Sequence, residues 1–138
     1  MTLTRMWLGT TVAVLLLLGR GWPSAAEAQS EATQSVPGGG VTVAVTFLKE
    51  GSDCPAFRVV LDTHSVNLDA YRFEEIARLR DGKGGELAPT AVEDATGSGH
   101  HREVTVRFAW PDPKPRRLEL VVKGVAGVPE RLFQWTLE

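Results

Sequence analysis

Between Arg102 and Trp110 the chain alternates strictly, with Val104, Val106, Phe108 and Trp110 at one parity and Glu103, Thr105 and Arg107 at the other. A period of two is the signature of an extended strand with one face buried and one wet. The same pattern recurs in Val41–Phe47 and Arg117–Val122, and in Arg131–Leu137, where Phe133, Trp135 and Leu137 share a face. In the segment 57–66, Phe57, Val59 and Leu61 share one face, and Arg58, Val60, Asp62 and His64 the other. Turn chemistry separates these runs: Asp81-Gly82-Lys83-Gly84-Gly85, Pro111-Asp112-Pro113-Lys114-Pro115, and the stretch from Gly124 to Pro129.

Two pieces are less regular. Segment 71–80 suits a helical turn near Asp69–Phe73 followed by a strand from Glu75 to Arg80. Segment 86–92 reads as one edge strand broken by Pro89, which has no N–H to give a ladder. About seven short strands at this spacing predict an all-β, antiparallel sandwich of the immunoglobulin or fibronectin type, with a small closed β-barrel as the alternative. The sequence shows no internal repeat and no heptad.

The amino-terminal part has a different composition. Arg5 precedes an apolar run from Met6 to Leu18, and Ala26-Glu27-Ala28 follows, which is the three-part layout of an export signal. The run is shorter than the ~20 residues that cross a bilayer. The expected division is a signal peptide over 1–28, a flexible tether over 29–40, and a β-sandwich domain over 41–138. Cleavage after Ala28 makes Gln29 the first mature residue and places the domain in the periplasm or outside the cell. Loss of Arg5, Arg20 and Glu27 takes 15 basic and 17 acidic side chains to 13 and 16, about −3. Such a balance speaks against nucleic-acid and anionic-membrane partners, which require concentrated positive charge. Cys54 is the sole cysteine. With no intramolecular disulfide available, an exported fold must be held by its core.

The three histidines fall in two segments, Asp62-Thr63-His64 and Gly99-His100-His101-Arg102. In an immunoglobulin-like topology the second and fifth strands are antiparallel neighbours, which brings both segments to one end of one sheet. Asp62 and His64, two apart on a strand, project from the same face about 7 Å apart. His101 takes the outward parity of Glu103, Thr105 and Arg107, and His100 the opposite one. The expectation is a metal site of Asp62, His64, His100 and His101. There His64 and His101 supply imidazole nitrogens, Asp62 ligates or orients a ring, and copper(II) or zinc is the ion. In the competing reading these groups are structural: Asp62 and Asp69 accept backbone hydrogen bonds, His64 packs against Tyr71, and Arg102 forms an ion pair.

The run from Phe57 to Asp69 with its Leu-Asp-Thr-His-Ser core, the Gly99-His-His-Arg102 segment, and the stretch from Val125 to Trp135 together resemble a group of small exported bacterial domains with no established function. A weaker similarity, carried by Asp62 and His64, is to periplasmic copper-resistance sandwiches that use an Asp-x-His pair on a strand. That resemblance implies copper as ligand. In that family the mature amino-terminal histidine is also a ligand, whereas Gln29 is expected there in this chain.

Other chemistry is poorly supplied. A Cys54–His64 nucleophile pair lacks an orienting third group, and Ser65 points away from its neighbour His64 on a strand. Glu74-Glu75 reads as solvated surface charge, Arg116-Arg117 as a solvated loop, and Trp110 and Trp135 as core residues rather than a binding platform. Gly38-Gly39-Gly40 precedes no helix and so offers no phosphate cradle. The sequence therefore predicts an exported, non-catalytic binding or accessory module, with another exported or envelope protein as partner. A small hydrolase is the least favoured alternative. A metal module needs converging imidazoles, an interaction module an uncovered edge, and an enzyme a concave pocket.

Overall fold

Valine, leucine and phenylalanine at every second position give each strand one face that water penalises, and two such faces can satisfy each other only by stacking. The computed structural model describes residues 32–48 and 53–137, and there the chain forms that arrangement. The strands are β1 (Thr33–Gly38), β2 (Val41–Leu48), β3 (Ala56–Thr63), β4 (Ala77–Arg80), β5 (Glu86–Leu87), β6 (Ala91–Ser98), β7 (His101–Arg107), β8 (Arg117–Val125) and β9 (Val128–Thr136). One short helix, α1 (Phe73–Ile76), precedes β4. Five strands in the order β1-β2-β3-β7-β6 face four in the order β5-β4-β8-β9, and all pairings are antiparallel. The protein is an all-β sandwich of two separate sheets, not a closed barrel.

The inward positions behave as the alternation demands. Val43, Val45, Phe57, Val59, Leu61, Val106, Phe108, Leu118, Leu120 and Phe133 are wholly buried in one continuous core. Aromatic rings fill its lower half: Trp135 lies against Phe57 and Phe47, with centroids 5.2 and 6.0 Å away, and Phe57 meets Phe108 edge-on at 5.9 Å. Trp110, expected inward, lies beyond the end of β7 and is half-buried, with the Lys114 ammonium 4.1 Å from its ring centroid.

Several expectations are corrected. Nine strands replace seven. Half of the expected tether is β1, which pairs along its whole length with β2 from Thr33↔Thr46 to Gly38↔Val41. Side chains add to the backbone ladder: the Gln34 amide donates to the Gln134 carbonyl and accepts from its N–H, and Trp135 Nε1 donates to the Ala32 carbonyl at 3.0 Å. Residues 29–31 and the expected signal peptide lie outside the described residues. The predicted 86–92 strand is two strands in different sheets, because Pro89 marks the point where the chain leaves β5 and crosses to β6. The helical turn falls at Phe73–Ile76 rather than Asp69–Phe73, and β4 begins at Ala77 rather than Glu75. The last hairpin is longer than its Gly and Pro residues suggest, since Ala126 (φ 52°) and Gly127 (φ 74°) turn the chain in two residues of the type I′ form. Among the described residues no helix is long and apolar enough to cross a membrane.

Four connections gather at one end of the sandwich: the β1–β2 turn at Gly39-Gly40, the β3–α1 segment, the β6–β7 turn at Gly99-His100, and the β8–β9 turn. Beneath them lies Arg131, 1% exposed. Its guanidinium donates to the carbonyls of Gly38 (2.6 Å), Val125 (2.9 Å) and Val41 (3.4 Å), spanning both sheets. Burial holds it below its ordinary pKa, and its Nε is the one buried side-chain polar atom without a partner among the described residues.

Candidate functional site

Antiparallel pairing of β3 with β7 brings the two histidine segments to one end of one sheet. Asp62 and His101 are directly opposed in the ladder, and His101 Nδ1 lies 3.9 Å from Asp62 Oδ1. Both side chains are more than half exposed, at 59% and 55%. The neighbouring outer positions continue the charge pairing: Arg58 Nε meets Glu103 Oε1 at 2.5 Å on the diagonal, and Arg107 Nε meets Glu93 at 2.8 Å.

His64 does not share the face of Asp62 by strand parity, because β3 stops at Thr63. The Thr63 hydroxyl donates to the Gly40 carbonyl (2.6 Å) and accepts from the N–H groups of Ser65 and Val66 (3.2 and 3.3 Å), a side-chain turn that competes with the ladder and bends the chain away. His64 and His100 are exposed on the two flanking turns. The His100 carbonyl accepts from Thr63 N–H at 3.0 Å, so the two histidine segments are joined by backbone. Among the described residues no three His, Cys, Asp or Glu side chains gather closely enough to hold a metal ion.

The base of this end is firmly tied. Asp69 accepts from Gly99 N–H at 2.7 Å, and Leu68 N–H donates to the Gly99 carbonyl at 2.8 Å. Among the described residues Arg102 does not form the ion pair expected of it. It donates instead to the carbonyls of Leu68 (2.9 Å) and Tyr71 (2.6 Å), with its guanidinium 5.0 Å from the Phe73 ring centroid. Tyr71 uses its hydroxyl to accept from Ala126 N–H at 2.8 Å. One arginine thus pins the whole 68–73 segment onto β7, a role that its neighbour-by-neighbour sequence context does not reveal.

The remaining candidates resolve into structure. Cys54 precedes β3 at the end opposite His64, about 25 Å away along an eight-residue strand, so the two form no nucleophile pair. The half-buried thiol interacts with Arg107. Glu74 and Glu75 both meet Arg72, at 2.8 and 3.4 Å, on the surface of α1. Compared with protein families, with curated proteins and with solved structures, the chain matches none.

Proposed function

We propose that the chain is an exported, non-catalytic binding module that presents the Asp62, His64, His100 and His101 end to another exported or envelope protein. The observation that carries this reading is exposed imidazole and carboxylate groups displayed on two strand ends and their turns, whose backbones are locked to one another. Such display keeps the ordering cost of binding low, because the base of the surface is already fixed. Contact here is polar: among the described residues the exposed large apolar side chains are Val92 (37%) and Leu132 (40%), one on each sheet, and they form no shared patch. Export is supported by the Arg5, Met6–Leu18 and Ala26-Glu27-Ala28 layout. The test is site-specific photocrosslinking in the native host from position 64 or 100, with position 132 on the opposite sheet as control. A discrete adduct from the histidine positions alone is expected. Equal labelling from position 132, or no adduct from any position, refutes the reading.

A second reading, copper(II) or zinc bound through Asp62 and His101, is favoured by their 3.9 Å approach. Calorimetric titration of each metal into the protein and into a His64→Ala, His101→Ala variant decides it. Affinity equal in the two proteins removes the metal reading.

A further inference from the structure

At the end of the sandwich opposite the histidines, the β4–β5 turn and residues 115–117 line a cleft of about 800 Å³, within the range of pockets that hold small ligands. Its charged lining is Arg80, Glu86, Arg116, Arg117 and Glu119. Three of these are already neutralised: Arg80 meets Glu119 and Glu130 at 3.6 and 3.3 Å, and Glu86 meets Lys123. Arg116 and Arg117 enter no ion pair among the described residues, so two unengaged guanidinium groups set the charge of the cleft.

The walls are pre-formed. Asp81 Oδ1 accepts from Lys83 N–H (2.7 Å) and Gly85 N–H (2.9 Å), shaping one wall, and any Cβ at Gly85 meets Asp81 Oδ2 at 2.4 Å. Lys83 then reaches across to the Asp112 carbonyl at 2.5 Å, and the Arg116 carbonyl accepts from Leu137 N–H at 2.8 Å. Pro115 fixes φ in the second wall, and Pro111 and Pro113 stiffen the chain that leads into it. The arginine pair that reads as solvated loop in sequence therefore stands in a braced concavity.

We propose that this cleft binds a short acidic peptide segment, with carboxylates on Arg116 and Arg117 and backbone N–H groups toward Glu86 and Glu119. Guanidinium forks match planar carboxylates, and a peptide supplies both the anions and the donors that the mixed lining asks for. A hydrogenphosphate dianion can bridge the two guanidinium groups, but its single O–H offers the glutamates fewer donors than a peptide backbone does. The site is independent of the surface at the histidine end.

Calorimetry at low salt with hexaglutamate as probe tests this, with inorganic phosphate and hexalysine as separate arms. Arg116→Gln, Arg117→Gln is expected to weaken hexaglutamate by at least about tenfold, the loss of one or two charge-assisted hydrogen bonds. Arg58→Gln, Arg72→Gln, which removes equal charge elsewhere, leaves the affinity within about twofold. Both residues of the first pair are exposed, so its melting temperature stays at the wild-type value. Absence of binding, equal loss in the two variants, or phosphate binding as tight as hexaglutamate overturns the proposal.

Discussion

Arg131 of β9 and Gly38 of β1 are 93 positions apart in the chain, and the buried guanidinium of one donates to the carbonyl of the other at 2.6 Å. The contact crosses from one sheet to the other, so a single side chain fastens the β1–β2 turn to the β8–β9 turn. Arg131→Ala leaves three carbonyls without their donor and opens a cavity, at an expected cost of about 3–5 kcal/mol. Arg131→Met keeps most of the volume and removes a buried charge, and is expected to cost less, about 1–3 kcal/mol. Urea denaturation of the two variants checks the order.

Gly39 and Gly127 both occupy positive φ, at 62° and 74°, yet their surroundings differ. A Cβ at Gly39 falls 2.1 Å from the Ala126 carbonyl oxygen, whereas one at Gly127 meets nothing within 4 Å. Gly127→Ala therefore bears conformational strain alone, about 1–2 kcal/mol, and Gly39→Ala bears that strain plus a backbone collision between the two turns. Thermal unfolding is expected to show Gly39→Ala as clearly the more damaging.

The Glu103 carboxyl is held below its ordinary range by the hydrogen bond from Arg58, which outweighs the opposing effect of desolvation; the positive charges of Arg58 and His101 add to it. A carboxylate with a depressed folded-state pKa contributes stability that is present above its unfolded value and lost as pH falls through the folded one. Stability is accordingly expected to decline below about pH 4. Glu103→Gln has no such proton to take up, so its urea midpoint is expected to fall less than that of the wild type between pH 7 and pH 3.

Asp62 and His101 form an exposed cross-strand pair, and pairs of that kind contribute little. Asp62→Asn and His101→Ala are each expected to change unfolding free energy by less than about 1 kcal/mol. A loss beyond about 2 kcal/mol in either variant, read from urea curves, contradicts the view that these side chains are free for binding.

What was readable in advance follows from how burial is written into a strand. Val104, Val106 and Phe108 announce β7 because one face of it is dry. β6 announces nothing, since Ala91–Ser98 is exposed on both faces for nearly its whole length and is ordered by the backbone of β7 rather than by its own side chains. β1 fails for a related reason: its polar and small residues suit a tether, and what holds it is the ladder of β2 and contacts from β9. The meeting of Asp62 with His101 was legible from topology alone. The departure of His64 was not, because it depends on one hydroxyl, that of Thr63, capturing two N–H groups. Arg131 carried a visible signal that a purely apolar reading passes over: it has the same parity as Phe133 and Trp135.

The register of the outer strands has a mechanical consequence. Thr33 opposes Thr46 near one end of the first sheet, and Thr136 opposes Arg117 at the same end of the second, so both termini of the described domain leave from one side. Tension applied between residues 32 and 137 loads β1 and β9 at their outermost rungs and opens each ladder bond by bond, in the geometry of a zipper rather than a shear joint. The fold resists heat and solvent through its core, but it yields early to a pull along its own chain.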